Sequence, residues 1–248
     1  MTRLFTVSPD FNMKYMSGWF IFNTWLQKNL GESIHFEPYE DFDSQRKAID
    51  ADSIDIIYAN PYDASMLVRE KGFIAVARPR QKPDEAVIAV RDDSPVRGVE
   101  ELKPGIRIAT TDGPDVHMMC MIMLEPADLN RDNVELITKD NYVVVAKELL
   151  KSQAEVGFFL SETFDDLSEV IRKQLRVLVK SQIHVVHHMF LVSPRLAARS
   201  EEIARMLAAM DGNEAGRRIL SDIGIPAWDP VDTEEVEFMI DLMSTLVD

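Results

Sequence analysis

The amino-acid sequence predicts an α/β protein built as two lobes. Two series of strand and helix patterns follow one another in 248 residues, each in the β-α-β-α-β order that builds a mostly parallel sheet. The third strands of the two series match in character. Asp55-Ile56-Ile57-Tyr58-Ala59-Asn60-Pro61 and Glu155-Val156-Gly157-Phe158-Phe159-Leu160-Ser161 each start with an acid, run apolar to an aromatic and enter a helix start. The third observation is Thr110-Thr111-Asp112-Gly113-Pro114-Asp115-Val116-His117, set between an apolar strand run and an apolar helix run. A turn of this kind points backbone N–H groups and side chains at one place, beyond the carboxyl end of a strand, where open α/β sheets hold ligands.

In the first series, Leu4 to Val7 is a strand ended by Ser8-Pro9-Asp10. Phe20, Trp25, Leu26 and Leu30 have helical spacing over Gly18 to Leu30, with Gly31 as the stop. Ile34 to Pro38 is a strand, Phe42 to Ile49 a helix capped by Asp41, and Ile54 to Tyr58 the third strand. Asn60-Pro61 supplies cap and first-turn proline for a helix to Arg69. Phe73 to Ala77 and Ala86 to Val90 are further strands.

The second series reads strand Ile106–Ala109, helix Val116–Leu124, strand Val134–Ile137, helix Asn141–Ser152 capped by Asp140, strand Glu155–Phe159, and helix Glu162–Gln174 capped by Ser161. Leu175–Val179 and Val185–Val192 are strands, Ser193-Pro194 opens a helix to Met210, and Gly212 to Ile223 is another. Asp232 followed by Glu235 is a capping-box start for a terminal helix to Val247, with Val236, Met239, Ile240, Met243 and Leu246–Val247 on one stripe. Core packing explains that stripe; a homodimer contact is the alternative.

Composition narrows the function. Apolar residues make up 46% and charged residues 28%, as in an ordinary folded protein. A net charge of −15 without any basic stripe argues against nucleic acid and anionic membrane surfaces as partners. Cys120, the one cysteine, sits in an apolar run and reads as a buried thiol. No run reaches the roughly 18 apolar residues of a membrane span. Arg3 leads straight into the first strand, without the pattern of an export signal, so the sequence as written predicts a cytoplasmic protein. A periplasmic one is the alternative if such a signal has been trimmed.

Ile54-Asp55-Ile56-Ile57-Tyr58-Ala59-Asn60-Pro61-Tyr62, Arg78-Pro79 and Glu155-Val156-Gly157-Phe158 resemble the substrate-binding proteins of phosphonate/phosphate ABC transporters, within the type 2 periplasmic-binding-protein superfamily. The likeness runs in element order over residues 3 to 225. It implies two α/β lobes joined by two crossover strands, near Ala86–Val90 and Val185–Leu191, that close on a small ligand. Lobe one would be residues 1–85 plus 190–248, and lobe two residues 86–189. It further implies a phosphonate/phosphate-like or other small polar ligand, held for transport or sensing, and an ABC permease or regulatory partner. No cofactor or metal is expected. The chain departs from the family where phosphonate binders carry a Ser-Thr-Ser-Gly-like run. Here Pro114 removes one N–H donor, and Asp112 and Asp115 would repel a dianion.

The candidate ligand-binding residues all lie at strand carboxyl ends or on the second crossover. They are Ser8 and Asp10, with Phe11 beside them; Tyr58, Asn60 and Tyr62; Thr110, Thr111, Asp112 and His117; Phe159 and Glu162; and His188. Asn60 doubles as a helix cap, and Tyr58 and Phe159 could serve packing alone. Asp112, Asp115 and His117 lack the spacing of an established metal motif. His184, His187 and His188 surround the second crossover. In a strand, His187 and His188 point to opposite faces, and His188 is preferred as the ligand contact. Two alternatives stand beside solute binding: an enzyme using Asp112, His117 and Glu162 as acid/base groups, and a regulatory protein using its lobes to bind a partner.

Overall fold

The computed structural model describes residues 2–245. The chain divides into two compact units, one running to Pro83 and resuming at Val186, the other spanning Asp84–Val185.

The first unit contains a sheet in the order β11-β4-β10-β3-β1-β2, made of β1 (Arg3–Val7), β2 (Ile34–Phe36), β3 (Ile56–Ala59), β4 (Ile74–Pro79), β10 (Met189–Val192) and β11 (Trp228–Asp229). Strand β1 pairs in parallel with β2 on one side and β3 on the other, while β10 inserts antiparallel between β3 and β4. Helix α1 (Met16–Leu30) ends where Gly31 takes φ 65, a left-handed stop that costs glycine nothing. Helix α2 (Phe42–Asp50) starts where the Asp41 carboxylate accepts the Ser44 N–H, and α3 (Pro61–Lys71) where Asn60 accepts the Asp63 N–H. The remaining helices are α8 (Ser200–Ala208), α9 (Glu214–Asp222) and α10 (Thr233–Thr245). Phe5, Trp19, Phe22, Phe190 and Trp228 form the aromatic centre of this core.

The second unit contains a sheet in the order β7-β6-β8-β5-β9, made of β5 (Ala86–Arg91), β6 (Arg107–Thr110), β7 (Glu135–Thr138), β8 (Val156–Leu160) and β9 (Leu175–Lys180). Its β6 pairs in parallel with β7 and β8, and β5 runs antiparallel between β8 and β9. Helices α4 (Pro114–Met123), α5 (Tyr142–Leu150), α6 (Ser161–Asp165) and α7 (Glu169–Arg172) accompany it.

Several expectations change at the level of single residues. Asn141, not Asp140, caps α5, because its side chain accepts the Val144 N–H. Ser161 is the first residue of α6 and makes no cap, and the helix expected over Glu162–Gln174 is two short ones. Ser168 accepts the Ile171 N–H and so starts α7 afresh, while Leu167 is buried between the two. The helix expected from Ser193-Pro194 begins as a 3₁₀ segment, Pro194–Arg199, before α8, and Asn213 caps α9. Asp232 does accept the Glu235 N–H, but Glu235 turns its carboxylate to Arg78 rather than closing a capping box. The end of the terminal helix at Val247, and Leu246–Val247 of its stripe, lie outside the described residues.

The strand expected over Val185–Val192 begins only at Met189; it belongs to the first sheet, and β5 to the second. His184 takes φ 61, a left-handed turn incompatible with a strand. The unit boundaries fall before those read from the sequence, after Pro83 and after Val185. The Glu85 carboxylate is the reason on the second unit's side: it receives the Ser181 hydroxyl, the Ile183 N–H at 3.1 Å and the His184 N–H at 2.8 Å.

Candidate functional site

In the first unit, β1 and β3 are neighbours whose chain connections leave in opposite directions, since β2 lies on the far side of β1. Their carboxyl ends mark the topological switch point, where an open α/β sheet leaves a crevice. The sequence places Ser8, Asp10, Tyr58 and Asn60 there, and the fold brings His188 to them from the segment before β10. The Ser8 N–H donates to the Tyr58 carbonyl at 2.8 Å, which locks the two strand ends together.

The side chains form one continuous chain of hydrogen bonds. Arg46 donates to both carboxylate oxygens of Asp63, at 2.8 and 3.2 Å. Asn60 Nδ2 donates to Asp63 Oδ2 at 2.8 Å and to Ser8 Oγ at 3.1 Å. The Ser8 hydroxyl in turn bonds the Asp10 carboxylate, and His188 Nε2 lies 3.3 Å from Asp10 Oδ1. The side chains of Asp10 and His188 are 4% and 8% exposed. Burial works to raise the Asp10 carboxyl, but the His188 charge, the hydrogen bonds from His188 and Ser8, and its own backbone N–H outweigh it and hold it below the usual carboxylate range. An ionised carboxylate only accepts, so His188 Nε2 carries the proton between them. The His188 ring lies over Tyr58 with centroids 5.1 Å apart, and Tyr58 packs on Trp19 at 5.2 Å and Trp228 at 5.7 Å. Tyr62 is half-buried, with the Arg46 guanidinium 5.5 Å from its ring centre.

In the second unit the equivalent ends are those of β6 and β8. Thr110 and Thr111 are buried and Asp112 is exposed. Thr111 Oγ1 accepts the Gly113 N–H at 3.4 Å, and α4 starts at Pro114 with no side-chain cap. Asp115, in its first turn, is fully buried. His117 is pushed down to about 4, by burial first and then by the Arg131 charge, so it is neutral near pH 7. Its ring lies 6.0 Å from Phe158. These causes give no support to an acid/base partnership with Asp112 or Glu162, which is partly exposed in the first turn of α6.

Phe159, a candidate for ligand contact or for packing alone, lies in the hydrophobic core of the second unit. It is 0% exposed, with its ring 6.1 Å from Tyr142 and 5.2 Å from Phe164. Cys120 is buried, and burial raises its thiol well above the ordinary range. His187 and His188, expected on a strand, lie instead in the irregular segment before β10, and both are buried.

The sequence reading missed Arg46, Asp63 and Trp228. Asp63 reads as an ordinary first-turn acid of α3, and only its burial reveals that it anchors Asn60. Trp228 sits in a strand of two residues, too short to carry a pattern. Among the described residues no group of three or more His, Cys, Asp or Glu could hold a metal ion, and no helix is long and apolar enough to cross a membrane.

Each of the two α/β units carries buried polar groups at the switch point of its sheet, where open α/β sheets hold ligands. The family model of the ABC transporter, phosphonate, periplasmic substrate-binding protein matches residues 5–236, and the chain belongs to that family. A search of curated proteins gave no match. Among solved structures, PhnD1 from Prochlorococcus marinus in complex with methylphosphonate is similar with a TM-score of 0.83 and 11% identity, over 99% of this chain and 98% of that one. XAC2383 from Xanthomonas citri, bound to ATP, has a TM-score of 0.80 and 12% identity over 100% and 98%. The periplasmic aliphatic sulphonate binding protein SsuA from Escherichia coli has a TM-score of 0.71 and 14% identity over 99% and 91%. At these identities the likeness is one of fold.

Proposed function

We propose that the protein binds a small tetrahedral oxyanion of the phosphonate type and delivers it to an ABC permease. The observation that carries this reading is the buried cluster at the ends of β1 and β3, where His188 packs at a tilt against Tyr58 and is oriented by Asp10. A packed, hydrogen-bonded imidazole keeps one orientation, which lowers the entropy cost of gripping a small solute. Thr110 and Thr111, at the end of β6, are the second unit's candidates for ligand hydroxyl contacts, with the exposed Asp112 and partly exposed Glu162 as its other polar candidates, and the half-buried Tyr62 is a further candidate of the first unit. The methylphosphonate complex of PhnD1 and the sulphonate-binding role of SsuA support an oxyanion as the cargo class. The family is described as periplasmic, which favours the exported alternative over the cytoplasmic expectation.

Isothermal titration calorimetry tests the reading. Methylphosphonate is expected to bind one site per chain at micromolar or tighter Kd, and His188→Ala to weaken it at least about tenfold, the loss of a charge-assisted hydrogen bond. Unchanged affinity in His188→Ala would remove the first-unit cluster from the site. No heat with methylphosphonate, methanesulfonate or phosphate would overturn the oxyanion reading.

A further inference from the structure

The segment that carries His188 into the first unit is held at two points by two carboxylates, whose side chains are 4% and 7% exposed. Asp10 takes the His188 ring at one end, 3.3 Å away. At the other end stands Glu85, immediately before β5. Its Oε2 accepts the Ser181 hydroxyl and the Ile183 N–H, and its Oε1 accepts the His184 N–H, with His184 Nδ1 3.3 Å away. Ser181 returns the tie. Its Oγ accepts the Ala86 N–H at 2.8 Å, and its own N–H donates to the Ala86 carbonyl at 2.9 Å. Both chain connections are thus fastened to each other on the second unit's side.

On the first unit's side other groups hold them. The Arg80 N–H donates to the Ala227 carbonyl at 2.8 Å, and Lys82 Nζ to the Gly224 carbonyl at 3.1 Å. One connection is therefore fixed at Lys82 and again at Glu85, the other at His184 and again at His188. The unit boundaries, after Pro83 and after Val185, fall inside these two intervals. His184 takes φ 61, a left-handed conformation that a residue with a Cβ keeps only where its surroundings hold it. Glu85 supplies that hold, because its two oxygens collect the consecutive N–H groups of Ile183 and His184. A carboxylate can do this since both of its oxygens accept; an amide has only one that does.

Resting on the reading of His188 as a ligand contact, we propose that Glu85 is a positioning residue for His188. It fixes the left-handed turn at His184, and that turn sets the direction in which residues 185–187 run toward Asp10. Glu85 acts through the connection, while His188 meets the solute. The same tie confines bending of the two connections to residues 83–84 and 185–187, the kind of short stretch that absorbs the φ/ψ change of a hinge.

The test follows His188 by nitrogen-15 NMR and methylphosphonate affinity by calorimetry, in wild type and in Glu85→Gln. The substitution keeps the size of the side chain but sets an N–H against one of the two backbone N–H groups. In the ligand-free protein the His188 ring signals are expected to shift or broaden, with those of the surface residue His35 unmoved. Methylphosphonate affinity is expected to fall at least about fivefold, the scale of one lost hydrogen bond. Adding His184→Gly, which adopts a positive φ without strain, is expected to restore affinity to within about twofold of wild type. A merely destabilised fold would not be rescued in this way. Unchanged His188 signals in Glu85→Gln overturn the proposal, and so does a loss of affinity that His184→Gly leaves in place or deepens. Should Glu85→Gln not fold, Ser181→Ala removes one of the donors that Glu85 collects. It is expected to move the His188 signals by less, and signals that stay put there overturn the proposal equally. Absence of methylphosphonate binding in wild type removes the oxyanion reading alone, because the ligand-free signals still decide the role of Glu85.

Discussion

Trp228→Ala is expected to destabilise the protein by about 3–5 kcal/mol, the range for truncating a buried tryptophan. The indole is fully buried in the first unit, with ring centroids 5.6 Å from Phe190, 6.2 Å from Phe22 and 5.7 Å from Tyr58. Its strand is only Trp228–Asp229, paired with Pro79 and Arg78 of β4. Two residues of ladder hold little by themselves, so the side chain is what fastens the segment. Asp229 reinforces it through Arg80 at 2.7 Å and Arg78 at 3.6 Å, but Arg80 is considerably exposed and such pairs contribute little. The truncation also removes the edge-on support of Tyr58, on which His188 stacks, so solute affinity should fall together with stability. Guanidinium denaturation checks the first effect: the midpoint should drop with little change in slope. A loss under about 1 kcal/mol would mean that the neighbouring rings close the cavity, and would contradict the role given to the indole.

The second large effect is at Asp10. Asp10→Ala should cost about 3 kcal/mol near pH 7, because it strands His188 at a buried position without its counter-ion. The figure sits at the low end for a broken buried pair because the imidazole can shed its proton. The pH dependence has a definite sign. The folded carboxyl of Asp10 lies below its ordinary value, so the stability it contributes is fully present above the unfolded carboxylate range and is lost as pH falls through the folded value. The gap between wild type and Asp10→Ala should therefore hold from neutral pH down to about pH 4 and close in stronger acid. A gap that stays constant into strong acid would show that Asp10 contributes packing and not charge.

The alternation of strands and helices was legible because it depends on local patterns: apolar runs, Asp41 and Asn60 at helix starts, and Gly31 at a stop. Ser8, Asp10, Tyr58 and Asn60 were legible as candidates for a related reason, since a strand end is visible in a sequence. Their partners were not. His188 meets Asp10 across 178 positions, and no local signal carries a contact of that range. His188 could be named only as one of three histidines, and its strand was read too long because nothing in Val185-Val186-His187-His188 betrays the left-handed turn at His184 just before it. The surroundings of Phe159 and Asp63 were illegible for a different reason. Both stand beside strand ends, but their orientation is set by what packs around them, and burial turned one into core and the other into an anchor for Asn60.

In the proposed mode of binding a solute engages the first-unit cluster through His188. Nitrogen-15 NMR of the five histidines reads it directly, with His188 assigned by loss of its signals in His188→Gln. Saturating methylphosphonate is expected to shift the ring signals of His188 while those of His35, half of a surface pair with Glu37, stay in place. Saturation that leaves the His188 signals unmoved would contradict the account.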